Sequence, residues 1–70
     1  MSRNRWARIA RLAQTKFNIR YTTALQSCRD VHAGPRFNER MDAHRKAGLT
    51  YNDAMLAMID EDFEFFDEEE

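Results

Sequence analysis

Apolar residues recur along this chain at spacings of three and four, the period of a helix that buries one face. Trp6, Ile9, Ala10, Ala13 and Phe17 make the first stripe, with Leu12 at its edge, and predict a helix over about 4–16. Tyr21, Ala24, Leu25, Cys28 and Val31 make the second, over about 20–32, and leave Arg20, Thr22, Thr23, Gln26 and Arg29 pointing elsewhere. The third helix, about 35–46, offers only Phe37, Met41, Ala43 and Ala47 to a core and should be the most exposed. The fourth, about 50–66, carries the strongest signal in Tyr51, Ala54, Met55, Met58, Ile59, Phe63 and Phe66, interrupted late by Asp62. The expected fold class is therefore all-α: a small four-helix domain of two helical hairpins. Its core should draw on Trp6, Ile9, Phe17, Ile19, Tyr21, Leu25, Phe37, Met41, Leu49, Tyr51, Met55, Ile59 and Phe63.

Punctuation supports the same division. Asn18 tolerates a left-handed backbone and suits a helix stop. Gly34 followed by Pro35 reads as a stop and then the first residue of the next helix, where no N–H is needed. Gly48 closes the third helix, and Thr50 with Asp53 three residues on is close to a capping box.

One stretch occurs twice. Asn18-Ile19-Arg20-Tyr21-Thr22-Thr23-Ala24-Leu25 returns thirty positions later as Gly48-Leu49-Thr50-Tyr51-Asn52-Asp53-Ala54-Met55. At that offset Ala13/Ala43, Lys16/Lys46, Tyr21/Tyr51, Ala24/Ala54 and Asp30/Asp60 are identical, which predicts a shared turn whether by duplication or by convergence. The turn resembles a short pattern in uncharacterised proteins of bacterial plasmids, phages and other mobile elements, with Gly, an aliphatic, a small residue, Tyr, two polar residues, Ala and Leu. Residues 47–55 match it well, while Asn18 and Arg20 depart from it in the first copy. The resemblance implies a helical hairpin and a mobile-element origin, and it transfers no functional residue.

Length and composition narrow the function. Seventy residues make one domain, read as a helical body over 1–59 with an acidic aromatic tail over 60–70. Cys28 is the only cysteine, so no disulfide forms within the chain, and a reducing, cytoplasmic setting is expected. No apolar run approaches the roughly 20 residues of a membrane span, and Met1-Ser2-Arg3-Asn4-Arg5-Trp6 lacks a secretory hydrophobic segment. No membrane partner is expected.

The net charge of -1 conceals a segregation. All 11 Lys and Arg lie between Arg3 and Lys46 beside only Asp30, Glu39 and Asp42, a net of +8, while 47–70 holds nine acids and no base. Such polarity points to a surface for a polyanion, a self-neutralising tail, or separate surfaces for separate partners.

Three constellations follow. In the first hairpin, a helix, a turn at Asn18 and a second helix outline a helix-turn-helix. Arg20, Thr22, Thr23 and Gln26 would read bases, while Arg3, Arg5, Arg8 and Arg11 would hold phosphates. Against that reading, the small residue usual four positions before the turn is Gln14 here and His44 in the other hairpin. The second constellation is the tail, where Asp60, Glu61, Asp62, Phe63, Glu64, Phe65, Phe66 and Asp67 set aromatics among acids. It would suit a basic, apolar groove on another protein, or fold over the chain's own arginines. The third is Met41, Met55 and Met58 with Leu56, which fill either the core or a soft surface for a homodimer.

Little favours catalysis. Cys28 and His32 stand at i,i+4, but a zinc site needs two further ligands and Cys28 lies on the apolar face. Gly34 and Gly48 are the only glycines, so no phosphate loop exists. Neither a metal nor another cofactor is expected. The reading is a small non-enzymatic protein-binding module that docks on a host protein and modulates or inhibits it, of the anti-CRISPR or host-takeover type. The alternative is a DNA-binding regulator using the first hairpin, with the tail as modulator.

Overall fold

The computed structural model describes residues 6–63. The four expected helices are present within them: α1 (Ala7–Phe17), α2 (Tyr21–Ala33), α3 (Phe37–Lys46) and α4 (Tyr51–Asp62). No strand occurs among the described residues. The expected start of α1 near Asn4 lies outside them.

The repeated stretch builds the same turn twice. Asn18 and Gly48 both take positive φ, 56° and 103°. In each turn the next amide reaches back five residues, Ile19 N–H to the Gln14 carbonyl and Leu49 N–H to the His44 carbonyl, both at 3.2 Å. These bonds satisfy carbonyls that a helix end otherwise leaves open. Arg20 and Thr50 then stand extended at ψ 155° and 167° before the next helix, and Ala24 and Ala54 are wholly buried. Tyr21 and Tyr51 are half-buried against the core. The copies differ at the cap: the Thr50 hydroxyl accepts from the Asp53 N–H at 3.1 Å, whereas Arg20 makes no side-chain cap.

The middle connection departs from expectation. Gly34 ends α2, but at φ -71° and ψ 161°, because the residue before a proline is pushed into extended backbone. Pro35 is not the first helical residue. Arg36 takes a left-handed conformation at φ 65°, and α3 starts only at Phe37.

Helix α4 is the centre of the body and packs against each of the other three. Ala54, Met55, Met58 and Ile59 have no exposed surface, and Leu56 is nearly covered. With Met41 also buried, the three methionines among the described residues are core, and they offer no surface to a second copy. Around α4 the core gathers Trp6, Ile9, Ala10, Ala13, Ile19, Cys28 and Val31, with Phe17, Leu25, Phe37, Leu49 and Phe63 packed partly buried against it. As expected, α3 buries least; only Met41 is covered, and Ala43 and Ala47 are exposed rather than inward. One end is fastened by aromatics: the His32 ring lies 5.0 Å from Trp6 and 4.7 Å from Phe37, tying the start of α1, the end of α2 and the start of α3.

The last helix is shorter than its periodicity suggests. It stops at Asp62, and Phe63 is extended at φ -128° and ψ 146°, so no single helix runs through Phe66. Asp60, Glu61 and Asp62 oppose the helix dipole where it ends. Glu61 and Asp62 are instead drawn sideways to α3, where Arg40 and His44 hold them. No described helix is long and apolar enough to cross a membrane.

Candidate functional site: the cationic face of the first hairpin

The predicted site residues fall into separate places. Arg3, Arg5, Glu64, Phe65, Phe66 and Asp67 lie outside the described residues. The four described members of the acidic tail are divided three ways. Asp60 is exposed. Glu61 and Asp62 are engaged inside the molecule: Arg40 Nη2 meets Glu61 Oε1 at 3.0 Å and Asp62 Oδ1 at 2.9 Å, and Arg40 Nη1 meets Asp62 Oδ2 at 3.0 Å. His44 Nε2 stands 3.2 Å from Glu61 Oε2. Hydrogen bonds from Arg40 to Asp62, and then to Glu61, hold the guanidinium above its ordinary pKa. The sequence reading allowed for a tail that folds over the chain's own arginines, but it did not single out Arg40. The signal was available, since Arg40 and His44 sit at i,i+4 and share one face of α3.

Phe63 turns the other way, toward α2. It lines a hollow of about 350 Å³ together with Thr22, Thr23, Gln26, Ser27 and Asp30. Three of the four residues expected to read bases therefore border the point where the chain leaves α4. Gln26 is engaged there, donating from Nε2 to Asp30 Oδ1 at 3.0 Å. Ser27, buried, donates its hydroxyl to the Thr23 carbonyl at 2.9 Å. A face carrying Asp30 and adjoining the acidic segment repels a phosphate backbone. Arg20 is exposed at the start of α2.

Helix α1 presents a different surface. Arg8, Arg11, Leu12, Thr15 and Lys16 are all exposed, at the i, i+3, i+4, i+7 and i+8 positions of one side. The helix contains no acid, and the first acid of the chain is Asp30. The guanidinium of Arg11 lies 5.8 Å from the Tyr21 ring centroid, and the ammonium of Lys16 at the same distance from Phe17. Leu12 stands among these cations 43% exposed, the one large hydrophobic so exposed among the described residues.

Charge separation in the sequence thus becomes separation in space. The ion pairs between described residues are Arg36–Glu39, Arg40 with Glu61 and Asp62, and Lys46–Asp42, with His44 also in contact with Glu61, all within α3, its cap and α4. In the second hairpin Arg36, Arg40 and Lys46 are paired with acids, and Arg45 is exposed without a carboxylate partner among the described residues. Arg8, Arg11, Lys16 and Arg29 of the first have no carboxylate partner among the described residues.

Comparison with protein-family models, with curated proteins and with solved structures gives no significant match to any of the three. The surface must speak for itself.

Two remaining candidates are resolved by burial. Cys28 has no exposed surface, and its loss of hydration on burial pushes the thiol up to about 11, so it carries no thiolate near neutral pH. Its i,i+4 neighbour His32 is held between Trp6 and Phe37. Among the described residues no group of three or more His, Cys, Asp or Glu is placed to hold a metal ion.

Proposed function

We propose that this protein is a small, non-enzymatic binding module that docks on an acidic surface of another protein through the outer face of α1. The observation that carries the reading is Leu12, exposed among Arg8, Arg11 and Lys16 on a helix without acids. A cationic rim gives on-rate and register, and an apolar centre gives a contact that salt does not screen. A nucleic-acid backbone would use the cations and leave Leu12 without a role. In the mobile-element setting that the repeated turn implies, the partner is a protein of the bacterial host, and docking obstructs or modifies its work.

A DNA-binding regulator is the second reading, favoured by the same unpaired cations and disfavoured by Asp30 on α2 and by Phe63, which lies beside it at the end of α4. One comparison separates the two. The full chain is immobilised against nuclease-treated bacterial lysate, beside Leu12→Ser and Arg8→Glu/Arg11→Glu variants, and the same proteins are titrated with duplex DNA at low salt. The protein-binding reading expects a retained protein, lost in both variants and reproduced with that partner purified. Tight DNA binding that is indifferent to Leu12→Ser and falls steeply with salt would replace it with the regulator.

A further inference from the structure

The exposed side of α1 has a shape as well as a charge. Arg8, Arg11, Leu12 and Thr15 stand at i, i+3, i+4 and i+7, and all four are exposed. Residues at that spacing are the corners of a hole on a helix surface, the kind that receives one side chain of a second helix lying alongside. Leu12 is its apolar corner, and the aliphatic stems of Arg8 and Arg11 extend the apolar floor beneath their charged ends. The Thr15 hydroxyl donates to the Arg11 carbonyl of its own helix at 3.4 Å, so covering this corner leaves no hydroxyl donor unmet.

Two of the surrounding cations are held in advance. The Arg11 guanidinium rests over the Tyr21 ring and the Lys16 ammonium over the Phe17 ring. A side chain held on a ring loses less freedom when a partner orders it. From Arg8 to Lys16 the helix rises about 12 Å, two turns of any helix laid along it. Every charge over that length is positive. Arg45 on α3 is also exposed, but its helix interleaves cations with Glu39 and Asp42. Pairing α1 with the α1 of a second copy would set like charges together, so the face asks for an acidic partner.

We infer that the acidic surface docked by α1 is itself an amphipathic helix. One of its apolar side chains sits in the hole bounded by Arg8, Arg11, Leu12 and Thr15, and carboxylates one turn to either side meet Arg11 and Lys16. This deepens the protein-binding reading and rests on it. Spacing supplies the selectivity. On a helix, acids three and four residues from the apolar position share its face. In an extended chain successive side chains alternate, and the same acids fall on opposite sides.

Three probes titrated into the ¹⁵N-labelled full chain test the inference. The first is a stapled helical peptide with heptad-spaced leucines and glutamates three and four positions from each. The second carries the same charges, with prolines in place of the staple to prevent a helix. The third is duplex DNA. Saturable shifts are expected at amides of residues 8–16 with the stapled peptide. Binding should be at least tenfold weaker for the proline peptide and for Leu12→Ser, and lost in Arg8→Glu/Arg11→Glu, with far-UV circular dichroism confirming that each variant keeps its helices. Equal affinity for the two peptides, saturable binding away from α1, or no binding of the stapled peptide would overturn the helical partner. The protein-binding reading would still stand or fall on capture from lysate. DNA bound more tightly than either peptide, and indifferent to Leu12→Ser, would remove both. Shifts at α1 that grow with protein concentration before any peptide is added would give the face to a second copy and overturn the inference.

Discussion

Arg40 grips Asp62 with both terminal nitrogens, Nη1 to Oδ2 at 3.0 Å and Nη2 to Oδ1 at 2.9 Å, while Nη2 also reaches Glu61. A fork-on-fork contact of this kind is among the stronger surface ion pairs, because the planar guanidinium fixes its geometry. It joins the middle of α3 to the last residue of α4, where three successive acids would otherwise fray the helix. The side chains are 27% and 35% exposed, so solvent screens part of the attraction. Replacing Arg40 by Ala should cost about 1 kcal/mol and lower the melting temperature by about 5 °C. Amide exchange at residues 59–63 should quicken more than elsewhere. Arg40→Lys keeps a charge but not the fork, and should recover less than half of the loss. Uniform acceleration of exchange over all four helices would show that the pair does not act locally on the end of α4.

A second prediction concerns the turn before α3. Arg36 sits at φ 65°, where a side chain costs roughly 1–2 kcal/mol that glycine escapes. Its pair with Glu39, at 2.7 Å, is between two well-exposed side chains and offsets little of that. Arg36→Gly should therefore raise stability by about 0.5–1 kcal/mol despite removing an ion pair. Chemical denaturation measures it directly. A loss of stability would mean that the Arg36–Glu39 pair outweighs the backbone strain.

Helical period and stop residues made most of the fold legible. Asn18, Gly48 and Thr50 behave as their chemistry dictates, and the inward stripes of α1 and α2 are the buried ones. The misses have physical causes. Pro35 was expected to open α3, but proline constrains its predecessor and itself without forcing its successor, and Arg36 turns left-handed instead. Phe66 lay on the helical period of α4, yet the acids at 60–62 and the pull of Arg40 end the helix before the period does. Ala43 and Ala47 kept helical spacing on a helix with one face toward α4 and the rest in water, so period alone could not place them. The cations of α1 were legible as a group. That Leu12 would stand exposed among them was not, since a residue at the edge of an apolar stripe falls on either side of it.

Cys28 gives a third prediction, through pH. Its thiol titrates near 9 when unfolded and is pushed up to about 11 by burial, so folding favours the protonated form. Stability from this group is complete below pH 9 and is lost as the pH rises through about 11. The loss amounts to about 3 kcal/mol, from two pH units at roughly 1.4 kcal/mol each. Cys28→Ala removes that thiol titration and should flatten the decline between pH 9 and 11, at the cost of a small cavity. In the native protein at pH 8, a thiol reagent should label Cys28 only through opening of the fold, at least a hundredfold slower than in urea. Rapid labelling under native conditions would place the thiol at the surface.

The last prediction separates binding from folding on α1. Ile9 and Leu12 are one turn apart and similar in size, but Ile9 is 2% exposed and Leu12 43%. Burial decides what each contributes. Ile9→Ala leaves a cavity in the core and should cost about 2–4 kcal/mol, a large share of what a domain of this length has. Leu12→Ser removes an apolar side chain that stands mostly in water, and should change stability by less than about 0.5 kcal/mol. Denaturant titrations of both variants, with unchanged slope, would establish the contrast. A loss above 1.5 kcal/mol for Leu12→Ser would make Leu12 a core residue and remove the apolar centre of the proposed docking face. A small loss leaves a leucine that the fold does not need, ringed by arginines that pair with no carboxylate in the described body, and a partner surface is what such an arrangement fits.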